Sequence, residues 1–272
     1  IKELMQYRLE ETIPWFMTVQ GAYQDALVQG VVISYQSWEY DEIVDELAVI
    51  DETGNEILDE NGDPAFDEDV TVVKDTPAID LRPIENIRFA AGADWRDPIG
   101  TSPFLIDEIP MTIGEVKLMA TSDSKTKIPW KELTDAQLLA GRTTDYNSVR
   151  NAREGNREDS KDQTYLHRDF DTVWVFRVIV KDNGRDMVYY TLGVHYRLSD
   201  PIPVEVEYPH LRPGERPYVM GFTNIETHKV YPESAVGLAA NTQQKANELD
   251  NQRFDNVQLV LNKRYFANRN AS

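Results

Sequence analysis

The sequence predicts an α+β chain in which helical and β-rich segments fall in separate blocks, and three segments carry that reading. Residues 12–29 have helical spacing, residues 172–198 hold two β-rich runs about an Asn-Gly turn, and the stretch from Pro232 to about Asn262 favours helix without interruption. With 272 residues, the chain has the length of one large domain or two modest ones.

Taken in order, Thr12 and Pro14 are start signals for the first helix, Phe16, Val19, Tyr23 and Leu27 recur on one face, and Gly30 stops it. VVISYQSWEY then reads as a strand, rich in β-branched and aromatic residues. From Asp41 to Val70 the chain holds many acids and neither Lys nor Arg, with Gly54-Asn55 and Asn61-Gly62 as turn signals, so an exposed acidic hairpin or loop is expected.

The segment from Glu85 to Met119 reads as a short strand, a loop punctuated by Pro and Gly, and a helix opened by the capping-box spacing of Thr112 and Glu115. Thr134 and Gln137 make a second box. Thr143 to Gln163 is almost devoid of apolar residues, so it is expected to be a mobile connection and a candidate boundary. TVWVFRVIV and MVYYTLGVHYRL follow, and Asn183-Gly184 between them fits a type I′ hairpin turn. The proline-rich run from Pro201 to Pro217 is expected as loop or sheet edge, and PYVMGF as a further strand.

The last helix would be a rod of roughly 45 Å. Leu249, Val257, Val260 and Leu261 lie roughly on one side, yet its middle, NTQQKANELDNQRFDN, is crowded with amides that fill cores poorly. Amide side chains donate and accept at once, so copies of such a helix could bond laterally without like-charge repulsion. Gln243, Asn247 and Asn251, at helical spacing, are the candidates for a subunit-interface or channel surface, and Arg253 for a bridge to an acid on a neighbour. A solvent-exposed helix on an ordinary domain fits the periodicity equally well.

Composition narrows the function. Apolar residues make up 41% and charged residues 28%, which suggests much solvated surface or many polar subunit contacts. No run approaches eighteen apolar residues, and acids stand where a signal peptide would be basic, so a soluble protein with no membrane partner is expected. The opening without Met and the close inside the polar run KRYFANRNAS suggest a segment of a longer chain. There is no cysteine for a disulfide or a thiolate metal site. A net charge of −19 argues against a surface that grips DNA through many phosphates, although channel walls that repel phosphate would let a duplex slide.

Catalytic motifs are weak. His167-Arg168-Asp169 spells a kinase catalytic-loop tripeptide without the Gly-rich loop or the Asp-Phe-Gly that should accompany it. DENGDPAFDEDV gathers carboxylates like a calcium loop, but Pro64 replaces the turn glycine and Val70 the bidentate Glu. His167, His195, His210 and His228 show no i,i+4 pairing, and no phosphate-binding GxxxxGK loop is present. Asp169, Asp171 and Lys181 loosely echo a metal-dependent nuclease, a spacing easily met in so acidic a chain. The five tryptophans are spread over different elements, which suits cores and contacts better than a base-stacking platform. No catalytic residue, metal ligand or cofactor is therefore expected.

The order of a β-hairpin, then YPHLRPGERPYVMGF, then HKVYPESAVGLAANTQQKANELDNQRFDNVQLVLNKRYF, resembles the clip and following stem helix of tailed-bacteriophage portal proteins, the head-to-tail connectors. Ile87 to Met119 resembles the same family where wing descends into stem. The match covers the chain in element order and about residues 210–266 at motif level.

The resemblance implies a portal-like fold without a recognisable crown. Its divisions would be a wing over 1–118, stem and connecting segment over 119–171, clip over 172–230, and a stem helix returning towards the wing over 231–272. It further implies a non-enzymatic homo-oligomer, a dodecameric ring at the portal vertex of the virion, assembled in the host cytoplasm. Double-stranded DNA would pass through it without sequence specificity during packaging and ejection. The implied partners are the terminase large subunit, head-completion or adaptor and tail proteins, and the major capsid protein. A phage metal-dependent nuclease and a monomeric structural or binding module are the alternatives.

Overall fold

The protein is described from a computed structural model over residues 2–48, 66–121, 130–140 and 168–262. Helix α1 (Lys2–Tyr7) runs through a π-helical turn, Arg8–Thr12, towards α2 (Trp15–Gln29). Gly30 ends α2 in the left-handed conformation, φ 85°, with its N–H donating to the Ala26 carbonyl. The expected stop signal acts as such.

Strand β1 (Val31–Ala48) is much longer than the ten residues expected, because its continuation EIVDELA pairs along its length with β2 (Phe66–Arg82). The acidic segment from Asp41 to Val70 is thus partly the two arms of an antiparallel hairpin, while residues 49–65, most of the calcium-loop-like run among them, lie outside the described residues.

A 3-10 turn (Ile84–Asn86) leads to β3 (Ile87–Phe89), α3 (Pro98–Thr101), β4 (Phe104–Thr112), α4 (Ile113–Ala120) and α5 (Asp135–Ala140). The capping box forms as the spacing predicts: the Glu115 N–H donates to Thr112 Oγ1 at 3.2 Å, and the Thr112 N–H to Glu115 Oε2 at 2.7 Å. At the second box the Thr134 N–H donates to Gln137 Oε1 at 3.0 Å, and α5 starts one residue later. The connection expected over Thr143–Gln163 lies outside the described residues.

Strands β5 (Thr172–Asp182) and β6 (Arg185–Leu192) form the predicted hairpin, and Asn183 and Gly184 take φ of 47° and 84°, the pair of positive values that a type I′ turn requires. The second β-rich run breaks after Leu192 and ends as β7 (Tyr196–Arg197). The proline-rich run supplies a two-residue edge strand β8 (Ile202–Pro203), a short helix α6 (Val204–Glu207) and turns, before β9 (Tyr218–Phe222) and the long helix α7 (Ala235–Leu261).

Two sheets result, one of three strands in the order β2-β1-β9, the other of six in the order β3-β4-β5-β6-β7 with β8 paired to β6. One cluster of buried residues links them: Ile33, Tyr35 and Tyr218 from the smaller sheet meet Leu105, Val175, Ile179 and Val188 from the larger. Each such aliphatic side chain contributes roughly 1.5–3 kcal/mol when fully buried.

This arrangement corrects one expectation. The stretch read as a loop before α4 contains β4, a strand in the interior of the larger sheet, which pairs with β5 from Phe104 to Thr112. Strand β4 lies within the segment expected as wing and β5 within the segment expected as clip, and the two strands share one sheet and one core.

Candidate assembly surface

Helix α7 carries the four residues singled out from the sequence. Its base is tightly anchored. Ser234 caps it, accepting from the Gly237 N–H at 2.9 Å, and the Asn224 side-chain amide donates to the Glu233 carbonyl at 3.2 Å. The Glu233 N–H donates to Glu226 at 2.7 Å, Glu226 pairs with Lys229, and Tyr231 stacks on Phe89 with ring centroids 5.3 Å apart. Gly30 presses against the same junction, since a Cβ there would lie 2.6 Å from the Pro232 carbonyl oxygen. The first part of α7 thereby meets α2.

Past this anchor the burial ends. None of the 27 residues of α7 is buried, and Leu238 to Asn262 are all exposed. At about 1.5 Å per residue the helix is roughly 40 Å long. Leu249, Phe254 and Val260 are 62%, 70% and 66% exposed, so the helix presents large apolar side chains as well as amides. A helix of this length with no packed face is not stabilised by propensity, because isolated helices are marginal in water and Asn is an indifferent former.

The four candidates do not form one set. At about 100° per residue, Gln243, Asn247 and Asn251 step along one face, and the Gln243 amide donates to Asn247 Oδ1 at 3.1 Å. Arg253 falls instead among Leu249, Val257 and Val260, and has no ion-pair partner among the described residues. The helix thus has an amide face, with Phe254 among the amides, and an apolar stripe with one guanidinium in it. Helix α2 also exposes Phe16, Met17 and Tyr23, at 78%, 68% and 66%.

Among the described residues the catalytic alternatives find no converging geometry. His167 lies outside the described residues; Arg168–Phe170 form a 3-10 turn in which Asp169 accepts from Lys117 Nζ at 2.9 Å. Asp171, buried just before β5, and Lys181, near its far end, stand ten residues apart on an extended strand, about 33 Å at ~3.3 Å per residue, too far for the Lys ammonium to act at a metal held by Asp171. Among the described residues no group of three or more His, Asp or Glu is placed to hold a metal ion, and no helix is long and apolar enough to cross a membrane.

No protein-family model and no curated protein matches this chain.

The sequence reading missed a buried polar joint between the two sheets. Asp107 on β4, Arg177 on β5 and Tyr190 on β6 stand in one cross-strand row, and Tyr35 on β1 faces Tyr218 on β9 in the other sheet. Arg177 Nη1 donates to the Tyr218 hydroxyl at 3.0 Å, which donates to Asp107 Oδ2 at 2.8 Å. The Arg177 guanidinium also lies 4.2 Å from the centre of the Tyr35 ring. Burial pushes the hydroxyls of Tyr190, Tyr208 and Tyr218 above the usual phenol range. A signal existed: Arg177 interrupts an apolar strand at the same parity as Val175 and Ile179, a position that must be inward. Enclosed as it is, the joint acts as a lock between sheets.

Proposed function

We propose that this chain is a structural subunit that works in a ring of identical copies, of the portal type that its sequence resembles. The observation that carries the reading is α7: a firmly capped and anchored helix of 27 residues, none buried, bearing exposed apolar and amide side chains. Such a helix gains its packing from outside the chain, and neighbouring copies of itself are the simplest supply. The order of β-hairpin, proline-rich return and long helix, with the strong net negative charge, supports a conduit along which duplex DNA moves without adhering.

In this role the chain is non-enzymatic, a portal subunit at the capsid vertex between head and tail. Terminase would dock on it during packaging, and adaptor and tail proteins afterwards. Crown and tunnel-loop elements have no recognisable counterpart in this sequence.

End-on negative-stain imaging of the purified protein tests the proposal. Rings with a central opening of roughly 20 Å or more, wide enough for B-form DNA, are expected. Monomers at micromolar concentration, with no ring at any ionic strength, would overturn it.

A further inference from the structure

The negative charge of this protein is concentrated in one stretch of its sequence. Residues 36–79 hold 15 of the 47 acidic residues and one of the 28 basic ones, a net −14 of the chain's −19. Their described parts are the outer reaches of β1 and β2. Strand β9 pairs with β1 only from Val31 to Tyr35, and the Gln36 N–H donates to the Pro217 carbonyl at 2.8 Å. From Ser37 outwards β1 has β2 as its only ladder partner among the described residues. Among the described residues, no strand pairs with that edge of β1.

The ribbon has two unlike faces. Trp38 and Tyr40 share one face with Val72, which stands opposite Glu42, and with Val70, two ladder positions further along. These four are 43%, 51%, 50% and 47% exposed. The polar groups on this face are tied down: the Trp38 indole N–H donates to Asp75 Oδ1 at 2.7 Å, and the Tyr40 hydroxyl to Glu42 Oε2 at 2.7 Å. The chain's own Arg8 guanidinium lies 5.6 Å from the centre of the Trp38 ring, so the strip already takes one cation. The opposite face presents Glu39 and Asp41, with Lys74 paired to Glu39. A bulge at Val73, where the register shifts between Asp41 and Glu42, leaves that residue unpaired and exposed.

An open strand edge beside an exposed aromatic strip is a template for another strand, and charge decides which one. A second copy of the ribbon would bring like charges into direct opposition, which is unfavourable across a strand pair. Nucleic acid and anionic lipid are repelled for the same reason. The complementary occupant is a basic protein segment in extended conformation, with apolar side chains at alternate positions for the strip and Lys or Arg between them. We propose that the β1–β2 ribbon is a docking arm for such a segment, which adds along β1 beyond Ser37, on the edge away from β2, and covers Trp38, Tyr40 and Val72. The arm makes no use of α7 and does not depend on the ring.

The test uses the whole protein and three labelled synthetic decapeptides, alternating Lys with Val, Lys with Ser, and Glu with Val. Fluorescence anisotropy gives affinity, and hydrogen exchange gives the place of binding. The Lys/Val peptide is expected to bind at least ten-fold more tightly than Lys/Ser, and Glu/Val not measurably. Amides of residues 37–43 should become protected. Trp38→Ser and the pair Glu39→Gln with Asp41→Asn should each weaken binding at least five-fold while the thermal melt stays in place. Equal affinity for Lys/Val and Lys/Ser would reduce the arm to a diffuse counter-charge and overturn the proposal. So would protection confined to residues outside the ribbon, or a ribbon-to-ribbon dimer in light scattering that the charge-removing pair strengthens. A protein that forms no rings yet binds the peptide on the ribbon would sink the portal reading and leave the arm standing.

Discussion

Asp107 and Arg177 face each other in register on β4 and β5, and the hydroxyl of Tyr218, from the other sheet, bridges them. The charged pair is therefore both a rung of one sheet and the link to the second. Its nearest charged atoms are 3.6 Å apart, with Arg82 Nε a further 3.7 Å from the same carboxylate oxygen. Removing one member strands the other charge in the core, which costs about 3–5 kcal/mol. Asp107→Asn should lower the unfolding free energy by that amount in urea titration. Asp107→Leu combined with Arg177→Met, which removes both buried charges and leaves only the part-exposed Arg82 without this carboxylate, should recover part of it. A single substitution no more harmful than the double would show the pair to be incidental.

The tyrosines around this joint give it an alkaline limit. Burial is the main cause that raises the hydroxyls of Tyr190, Tyr208 and Tyr218, so each has a higher pKa folded than the value near 10 it takes when unfolded. Their neutral forms belong to the folded state. That contribution is intact below about pH 10 and is lost as pH rises through the folded-state values. Absorbance at 295 nm should therefore show exposed tyrosines ionising first and a buried subset ionising only as the near-ultraviolet circular dichroism collapses. Ionisation of all 13 tyrosines in one step near pH 10, with the dichroism unchanged, would contradict the joint.

What was legible in the sequence is what local chemistry decides. Gly30, the Thr112–Glu115 box and Asn183-Gly184 act within a few residues of themselves, and each sits where its spacing placed it. Strand β4 was hidden because Asp107, Glu108 and Pro110 break its apolar pattern. Those acids are buried only because Arg177 and Arg88 meet them from β5 and β3, Arg88 at 2.5 Å from Glu108. The strand at 218–222 was visible, but its partner β1 lies far away in the chain, and no local signal selects it. Arg216 was likewise lost in a proline-rich run, although it forms a bidentate pair with Asp186 at 2.8 and 2.9 Å and donates to the Ile99 carbonyl. On α7, spacing alone sets the three amides on one face and Arg253 among Leu249, Val257 and Val260, and the structure adds that this whole length is exposed.

Gly30 joins α2, β1 and the base of α7, and it has two reasons to be glycine. Its φ of 85° strains any residue with a Cβ by about 1–2 kcal/mol, and that Cβ would meet the Pro232 carbonyl oxygen at 2.6 Å. Gly30→Ala should lower the melting temperature by several degrees and loosen the start of α7, seen as faster exchange of the amides at 235–240. Gly92→Ala is the control, because a Cβ there meets nothing within 4 Å and should change stability by less than about 0.5 kcal/mol. Equal effects at the two positions would deny the junction its role.

The exposed stripe on α7 separates folding from assembly. Leu249, Val257 and Val260 are 62%, 54% and 66% exposed, so replacing all three with Gln removes little packing within the chain and should leave the monomer's unfolding free energy within about 1 kcal/mol. If the stripe is where a neighbour packs, the same replacement should shift the sedimentation profile from large assemblies to monomer at micromolar concentration. Gln243→Ala with Asn247→Ala should act in the same direction but less strongly, because an amide that loses a partner at a wet interface can bond to water, whereas an apolar contact has no such substitute. Assemblies that survive the triple Gln variant unchanged would move the subunit contact off α7 and remove the observation on which the proposed ring rests.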